Sequence, residues 1–513
     1  MTATVDRPQL SDVAGPTWRD RLQPLVTGSG GGGATLLVTA LGGLLRFLRL
    51  DLPGTGGDHG SGKIFDEIYY ACDAQNLLRY GVEHASKDGS ARCIPTGGGA
   101  FIVHPPLGKW AIAVGEQLFG VNTFGWRFSS AVAGTLTILL VVRIGRRMTG
   151  STLLGALAGV LLSLDGLSFV QSRISMLDVF LVFWVVAAFG CLVVDRDLLR
   201  GRLSRLSDGA RDRRWRPWRL LAGGCLGAAV ATKWSGLYPL VVLVVLALSW
   251  EVGARRTAGV HAPVRCTLRR TTVPMVASLV LLPAVLYLSS WAGWFASDIG
   301  WDRHWAGGRG TAWPLLPDAL RSWWHYHWEI YNFHNTLQAK HPYQSHPGSW
   351  LVLGRPVSYY YPPGVTTGKY GCRVRTCSRE VLAIGTPALW WAMVPAALGL
   401  LAMWVSRRDW RAGSLLALLA AGIVPWVPSD LKGRTMFLFY ALPSVPFLCL
   451  GIALLAGWSL GPTSGRRRTI AALSAGVYTA LVAVNFIYLY PVLAAVTIPY
   501  QDWLARMWFP SWI

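Results

Sequence analysis

Charge is scarce in this chain. Only 14% of its 513 residues are Asp, Glu, Lys or Arg, against about 25% in an ordinary soluble domain. Lysine occupies seven positions, so the 48 basic residues are mostly arginine; that bias reflects genome composition more than chemistry. The eight cysteines form no Cys-x-x-Cys pair, and no His-rich spacing of the metal-binding kind is present. The shortage of charge excludes a soluble domain, and the missing ligand spacings give no basis for expecting a metal. What fills the chain instead is apolar: 52% of residues are hydrophobic and 26 are Trp. Several apolar runs reach the ~20 residues that cross a bilayer core, so the expectation is an all-α polytopic membrane protein. A net charge of +22 would suggest nucleic acid in a soluble chain. Here the arginines cluster between apolar runs, where the positive-inside rule accounts for them, and no nucleic-acid partner is expected.

The basic clusters set the topology. Residues 1–33 are polar and Gly-rich, expected to be disordered and cytoplasmic. The run from Gly33 to Leu50 is followed by Asp51–Pro53 and no small-residue cleavage site, so it reads as a retained first span at 34–50. A loop at 51–125 then lies outside. Spans follow at 126–142, 152–164, 174–194, 220–233, 235–250 and 272–292, making residues 34–292 a transmembrane core. A second outer loop covers 293–385, and spans at 386–404, 412–428, 434–456 and 470–492 complete eleven. Arg143, Arg146, Arg147, the Arg-rich stretch 195–219, Arg255, Arg256, Arg407, Arg408 and Arg466–Arg468 then share the inner side. This puts the N-terminus in the cytoplasm and residues 493–513 outside. Cys72 and Cys93 share the first outer loop, Cys372 and Cys377 the second. Pairing within each loop suits an oxidising compartment; four free thiols are the alternative.

A transporter places its polar residues midway along its spans and keeps its loops short. In this chain the unusual polar residues gather in long outer loops and at outer span ends, which favours a catalytic site at the outer face. "FDEIYY" places Asp66 and Glu67 among aromatics. A carboxylate in such surroundings can serve as a base for an alcohol, and a solvated loop is the plain alternative. "HPPLGKW" offers His104 and Lys109 to a phosphate, or starts an interfacial helix with a snorkelling lysine. Arg127 opens the second span, to anchor it or to bind an anion. "SRISMLD" holds Arg173 and Asp178, and an acid at that depth needs a partner. Lys233 sits between two spans at the outer side, and Arg434, with Lys432, is a cation on the side the positive-inside trend avoids. In "KHPYQSHPGSWLVLGRPVSYYYP", the side chains of His341, His346, Trp350, Tyr359, Tyr360 and Tyr361 suit sugar stacking or an extended peptide; an aromatic belt would look similar.

These motifs, in this order from residue 65 to about 447, resemble the bacterial protein O-mannosyltransferases, members of the GT-C membrane glycosyltransferases. The resemblance implies a GT-C fold with about eleven spans and two large outer loops. It implies transfer of mannose from polyprenyl-phosphate mannose to Ser or Thr of secreted proteins at the outer face of the plasma membrane, with inversion. Asp66 would be the base and Glu67 its support. Arg127 would bind the donor phosphate or brace the acidic loop, with Lys233, Arg434, Arg173, Lys109 and His104 as further phosphate candidates. Expected partners are the donor, secreted acceptor polypeptides, membrane lipids and the secretion channel. No cofactor is implied, and a divalent ion, used by other GT-C enzymes, is not favoured. The alternatives are a GT-C transferase acting on a glycolipid or polysaccharide, and a non-enzymatic carrier of lipid-linked sugar.

Overall fold

The computed structural model describes residues 29–54, 62–87, 93–205, 215–309, 315–461 and 465–513. Helix α1 covers Ser29–Phe47, so the first span begins inside the segment expected to be disordered; the rest of that segment, residues 1–28, lies outside the described residues. In the first outer loop come α2 (Glu67–Tyr80), the strands β1 (His84–Ser86) and β2 (Pro95–Gly99), and α3 (Leu107–Phe119). The membrane domain continues with α4 (Thr123–Thr149), α5 (Thr152–Ser163), the short α6 (Gly166–Gln171), α7 (Leu177–Leu203), α8 (Pro217–Thr232), α9 (Leu237–Thr257) and α10 (Pro263–Ser290). The second outer loop carries α11 (Asp318–Thr336) and the strands β3 (Val357–Tyr360), β4 (Cys377–Ser378) and β5 (Val381–Ala383). Then follow α12 (Pro387–Arg407), α13 (Trp410–Asp430), α14 (Leu438–Leu460), α15 (Arg466–Leu493) and β6 (Ile498–Pro499).

Among the described residues eight helices are long and apolar enough to cross a membrane: α4, α7, α9 (counted from Trp234), α10, α12, α13, α14 and α15. The apolar α1 and α5 are shorter, and α8 has 16 residues. Backbone polar groups in a bilayer core must be bonded internally, which makes helices the economical solution. The first long loop is folded. Cys72 is bonded to Cys93, tying α2 to the strand pair, and Cys372 is bonded to Cys377. In the second loop β3 pairs antiparallel with β5, and β4 with β6, which fastens the chain beyond α15 to that loop.

The core lies where α7 and α14 meet, with Phe189 and Phe447 in edge-to-face contact at 5.5 Å. Its outer end is closed by carbonyl-capping arginines. Arg173 donates to the backbone oxygens of Leu45, Arg46, Leu48 and Arg49 at 2.6–3.2 Å; the first two are carbonyls of the last turn of α1, and the other two belong to the turn just beyond it. Toward the inner ends, Arg216 pairs with Asp195 and Glu251, and Arg255 with Glu251, which ties α7 to α9.

Candidate active site

Residue 65 fixes the geometry of the acidic pair. Phe65 has φ 49°, the left-handed region that a bulky side chain occupies only when its surroundings hold it there. Those surroundings are aromatic: Tyr359 at 4.5 Å, Phe439 at 5.9 Å and Phe437 at 6.3 Å between ring centroids. Asp66 then precedes α2 and Glu67 begins it. The two acids meet different environments. Glu67 is fully buried and accepts from Nε and Nη2 of Arg127, each at 2.8 Å, and from the backbone N–H groups of Ile64 and Ser175 at 3.0 Å. Asp66 is only partly buried and accepts from the hydroxyl of Tyr70, one turn on. Burial raises its pKa to about 6; Lys233 and the Tyr70 hydroxyl work against that rise, and Asp178 adds to it.

Lys233 owes its place to a break between helices. It caps α8 in an extended conformation before the turn Trp234–Gly236 leads into α9. Its ammonium donates to both carboxylate oxygens of Asp178 at 2.9 Å, in the first turn of α7, so the intramembrane acid has its partner. Arg173, five residues earlier, does not pair with it. The Lys233 nitrogen also lies 5.0 Å from the centroid of Tyr440, and Arg434 sits 5.7 Å from the same ring. One tyrosine therefore joins the two cations.

Arg434 is held from one side and open on another. Its Nε donates to the backbone oxygen of His334 at 2.8 Å and Nη2 to His334 Nδ1 at 3.3 Å, while Nη1 is buried with no partner among the described residues. His334 Nε2 lies 2.8 Å from the oxygen of Val103; as an acceptor at Nδ1 and donor at Nε2 it is neutral. Burial takes its pKa down to about 4, with Arg434 and Lys233 adding to the fall and the Val103 bond opposing it. His104 stacks on His334 at 5.3 Å, is pushed well below the ordinary histidine value by burial and the neighbouring cations, and has a buried, unpartnered Nδ1.

Of the expected phosphate ligands, the structure thus gathers Lys233, Arg434 and His104. It commits the other three to the protein itself. Every nitrogen of Arg127 is bonded, to Glu67 and to the backbone oxygens of Leu50, Pro53 and Gly62, which is the bracing role and leaves no donor for a phosphate. Arg173 caps α1. Lys109 is buried between Asp73 at 2.8 Å and Glu83 at 3.2 Å, locking α3 to α2. The expected sugar surface divides as well. Trp350 is fully buried, its Nε1 donating to Ser345, and serves the core instead of a ligand. Tyr359 faces inward, accepting from Gln171 at 2.7 Å and packing on Phe65. Strand alternation turns Tyr360 the other way, under Arg379. Tyr361 lies against Trp503 of the C-terminal segment at 5.3 Å. His341 meets the edge of Phe437 at 5.0 Å, beside the acidic turn, whereas exposed His346 pairs with Asp430. His334, Gln171 and Tyr440 were not singled out from sequence; each is one aromatic or polar residue among many, and only the fold shows what it faces. Among the described residues no three His, Cys, Asp or Glu side chains are arranged to hold a metal ion.

A helical membrane domain with an acid near buried cations, where its long loops meet the span ends, has the layout of a membrane glycosyltransferase of GT-C architecture. The solved structures agree. The S. cerevisiae protein O-mannosyltransferase Pmt1-Pmt2 complex bound to the sugar donor superposes with a TM-score of 0.72 at 15% identity, covering 97% of this chain and 94% of the other. ArnT from Cupriavidus metallidurans bound to undecaprenyl phosphate gives 0.52 at 17%, over 90% and 76%. Those likenesses are of fold. Residues 38–292 match the family described as dolichyl-phosphate-mannose-protein mannosyltransferase, and residues 319–512 the C-terminal four-transmembrane region of protein O-mannosyltransferases. The chain is 42% identical to the polyprenol-phosphate-mannose–protein mannosyltransferase of Mycobacterium tuberculosis, over 93% of its length and 91% of the relative's. It is 35% identical to that of Corynebacterium glutamicum, over 88% of each. It belongs to the protein mannosyltransferase family.

Proposed function

We propose that this enzyme transfers mannose from polyprenyl-phosphate mannose to Ser and Thr hydroxyls of secreted proteins, at the outer face of the plasma membrane. The observation that carries this reading is the partly accessible carboxylate of Asp66 in the field of Lys233, which shares the ring of Tyr440 with Arg434. Asp66 takes the proton of the acceptor hydroxyl. The oxygen attacks the anomeric carbon from the face opposite the phosphate, the carbon–oxygen bond to phosphate breaks, and its electron pair stays on the departing phosphate. Inversion of a β-linked donor gives an α-mannoside. Negative charge builds on the leaving group, where a preorganised cation is most effective; the open Nη1 of Arg434 is aimed at that task. Glu67 and Arg127 hold the turn that presents Asp66.

In this reading the N-terminus is cytoplasmic, the C-terminus lies outside, and acceptors arrive extended from the secretion channel. No metal takes part, so chelation by EDTA leaves the rate unchanged; a rate restored only by added divalent cation would overturn that point. The test of the activity supplies radiolabelled polyprenyl-phosphate mannose and a Ser/Thr-rich peptide to the purified enzyme in liposomes. Label is expected in the peptide, released as mannose by an α-mannosidase. Label confined to lipid or polysaccharide would assign the chain a glycolipid acceptor instead.

A further inference from the structure

Helix α11 has an aromatic stripe that stays exposed among the described residues. Trp324, Trp328 and Tyr331 follow each other at spacings of four and three, one face of a helix, and are 70%, 54% and 48% exposed. No charged residue interrupts them. Other sides of the same helix are built into the protein. Tyr326 accepts from the N–H of Ile102 at 2.8 Å, His334 meets Val103 and Arg434 as described, and His327 ends a relay. In that relay Trp234 Nε1 donates to the hydroxyl of Tyr287 at 2.8 Å, the hydroxyl donates to His327 Nε2 at 2.7 Å, and His327 Nδ1 donates to the oxygen of Trp323 at 2.8 Å. Trp234 follows Lys233 directly.

The relay also fixes the depth of α11. Tyr287 stands in the last turn of α10, a helix long and apolar enough to span a membrane, whose side chains Leu281, Val285 and Leu288 are exposed as lipid-facing residues would be. A helix hydrogen-bonded to that turn lies level with the outer end of the span. That is the headgroup layer, where Trp and Tyr concentrate because one end of each ring system is apolar and the other can be hydrated. Leu315 and Leu316, just ahead of the helix, are exposed as well.

We propose that the Trp324–Trp328–Tyr331 stripe is seated among the phospholipid headgroups of the outer leaflet, and that this seat holds α11 in register with the site, keeping His334 under Arg434 and His327 against the turn that carries Lys233. The positioning half rests on the donor-binding reading given above; the lipid contact does not.

Two measurements separate them. In nanodiscs of phosphatidylcholine brominated near the headgroup end of its chains, the bromine-quenched fraction of tryptophan emission should fall in the double variant W324F/W328F relative to the unaltered protein. Quenching by aqueous iodide should stay the same. A fall in the iodide-quenched fraction instead would place the stripe in water, and no change in either would mean that polypeptide covers it; each result overturns the lipid contact. The second measurement is the KM for polyprenyl-phosphate mannose. It should rise several-fold in W324S/W328S with kcat little altered, and return to the original value in W324F/W328F. A serine variant that loses its bromine-quenched emission yet keeps the original KM would overturn the positioning half. A protein that mannosylates nothing would fail this assay without any substitution, which marks failure of the activity reading and leaves the quenching result standing.

Discussion

Asp66 and Glu67 are neighbours in sequence with opposite duties. Sequence alone could show that two acids lay among aromatics outside the first span, and the order of the surrounding motifs could mark Asp66 as the base; neither could show how the acids divide the work. The partners support the division proposed above: four donors saturate Glu67, whereas Asp66 stays partly accessible. Asp66 must be ionised to accept a proton, and burial places its pKa at about 6, so the rate should fall about tenfold per pH unit below that value and level off above it. Replacing Lys233 with Met removes the nearest cation that favours the ionised form, and should move this acid limb to higher pH, with Lys233→Arg moving it back; a pH profile of kcat in the two variants is the check. Arg127 answers to a different test. Arg127→Met strands a buried carboxylate, at a cost of about 3–5 kcal/mol, so the thermal midpoint should drop sharply. Donor binding by the protein that stays folded should be unchanged, because none of the bonds of Arg127 is to spare. Weakened donor binding at full thermal stability would return Arg127 to the phosphate.

At the scale of elements, the long apolar runs and the arginine clusters between them were legible because bilayer thickness and charge bias act on whole segments. Helix ends were less so: α1 begins at Ser29, and nothing in a glycine run announces a helix. Least legible was the purpose of single buried cations. Arg173 and Lys109 looked like phosphate ligands, since a cation near the outer face is suspicious wherever it falls. The fold spends Arg173 on two carbonyls at the end of α1 and two in the turn beyond it, and Lys109 on joining α3 to α2 through Asp73 and Glu83. Lys109→Met would leave those two acids facing each other without a cation. Its expected effect is a lower melting temperature with the donor KM unaltered in the folded fraction, measured side by side in detergent. Trp350 failed for a related reason: an indole offers the same ring to a sugar and to a core, and Ser345 and full burial claim it for the core.

For the molecule as a whole, the two long loops are folded parts of the structure at the ends of the spans. The Cys72–Cys93 bond, the β4–β6 pair and α11 fasten them, and the site lies where they meet the α7, α8 and α14 ends. This explains why residues from position 65 to position 440 converge although the sequence scatters them, and why the inventory of cations was recoverable from sequence while its geometry was not. The central claim is that Asp66, and not its neighbour, is the base of a transfer onto protein. The most direct measurement is peptide mannosylation by purified Asp66→Asn in liposomes supplied with labelled donor, alongside a donor-binding assay on the same preparation. The account predicts a loss on the order of 10²- to 10⁴-fold, the usual contribution of a general base, with donor binding retained. Mannosylated peptide formed at the unaltered rate would contradict it.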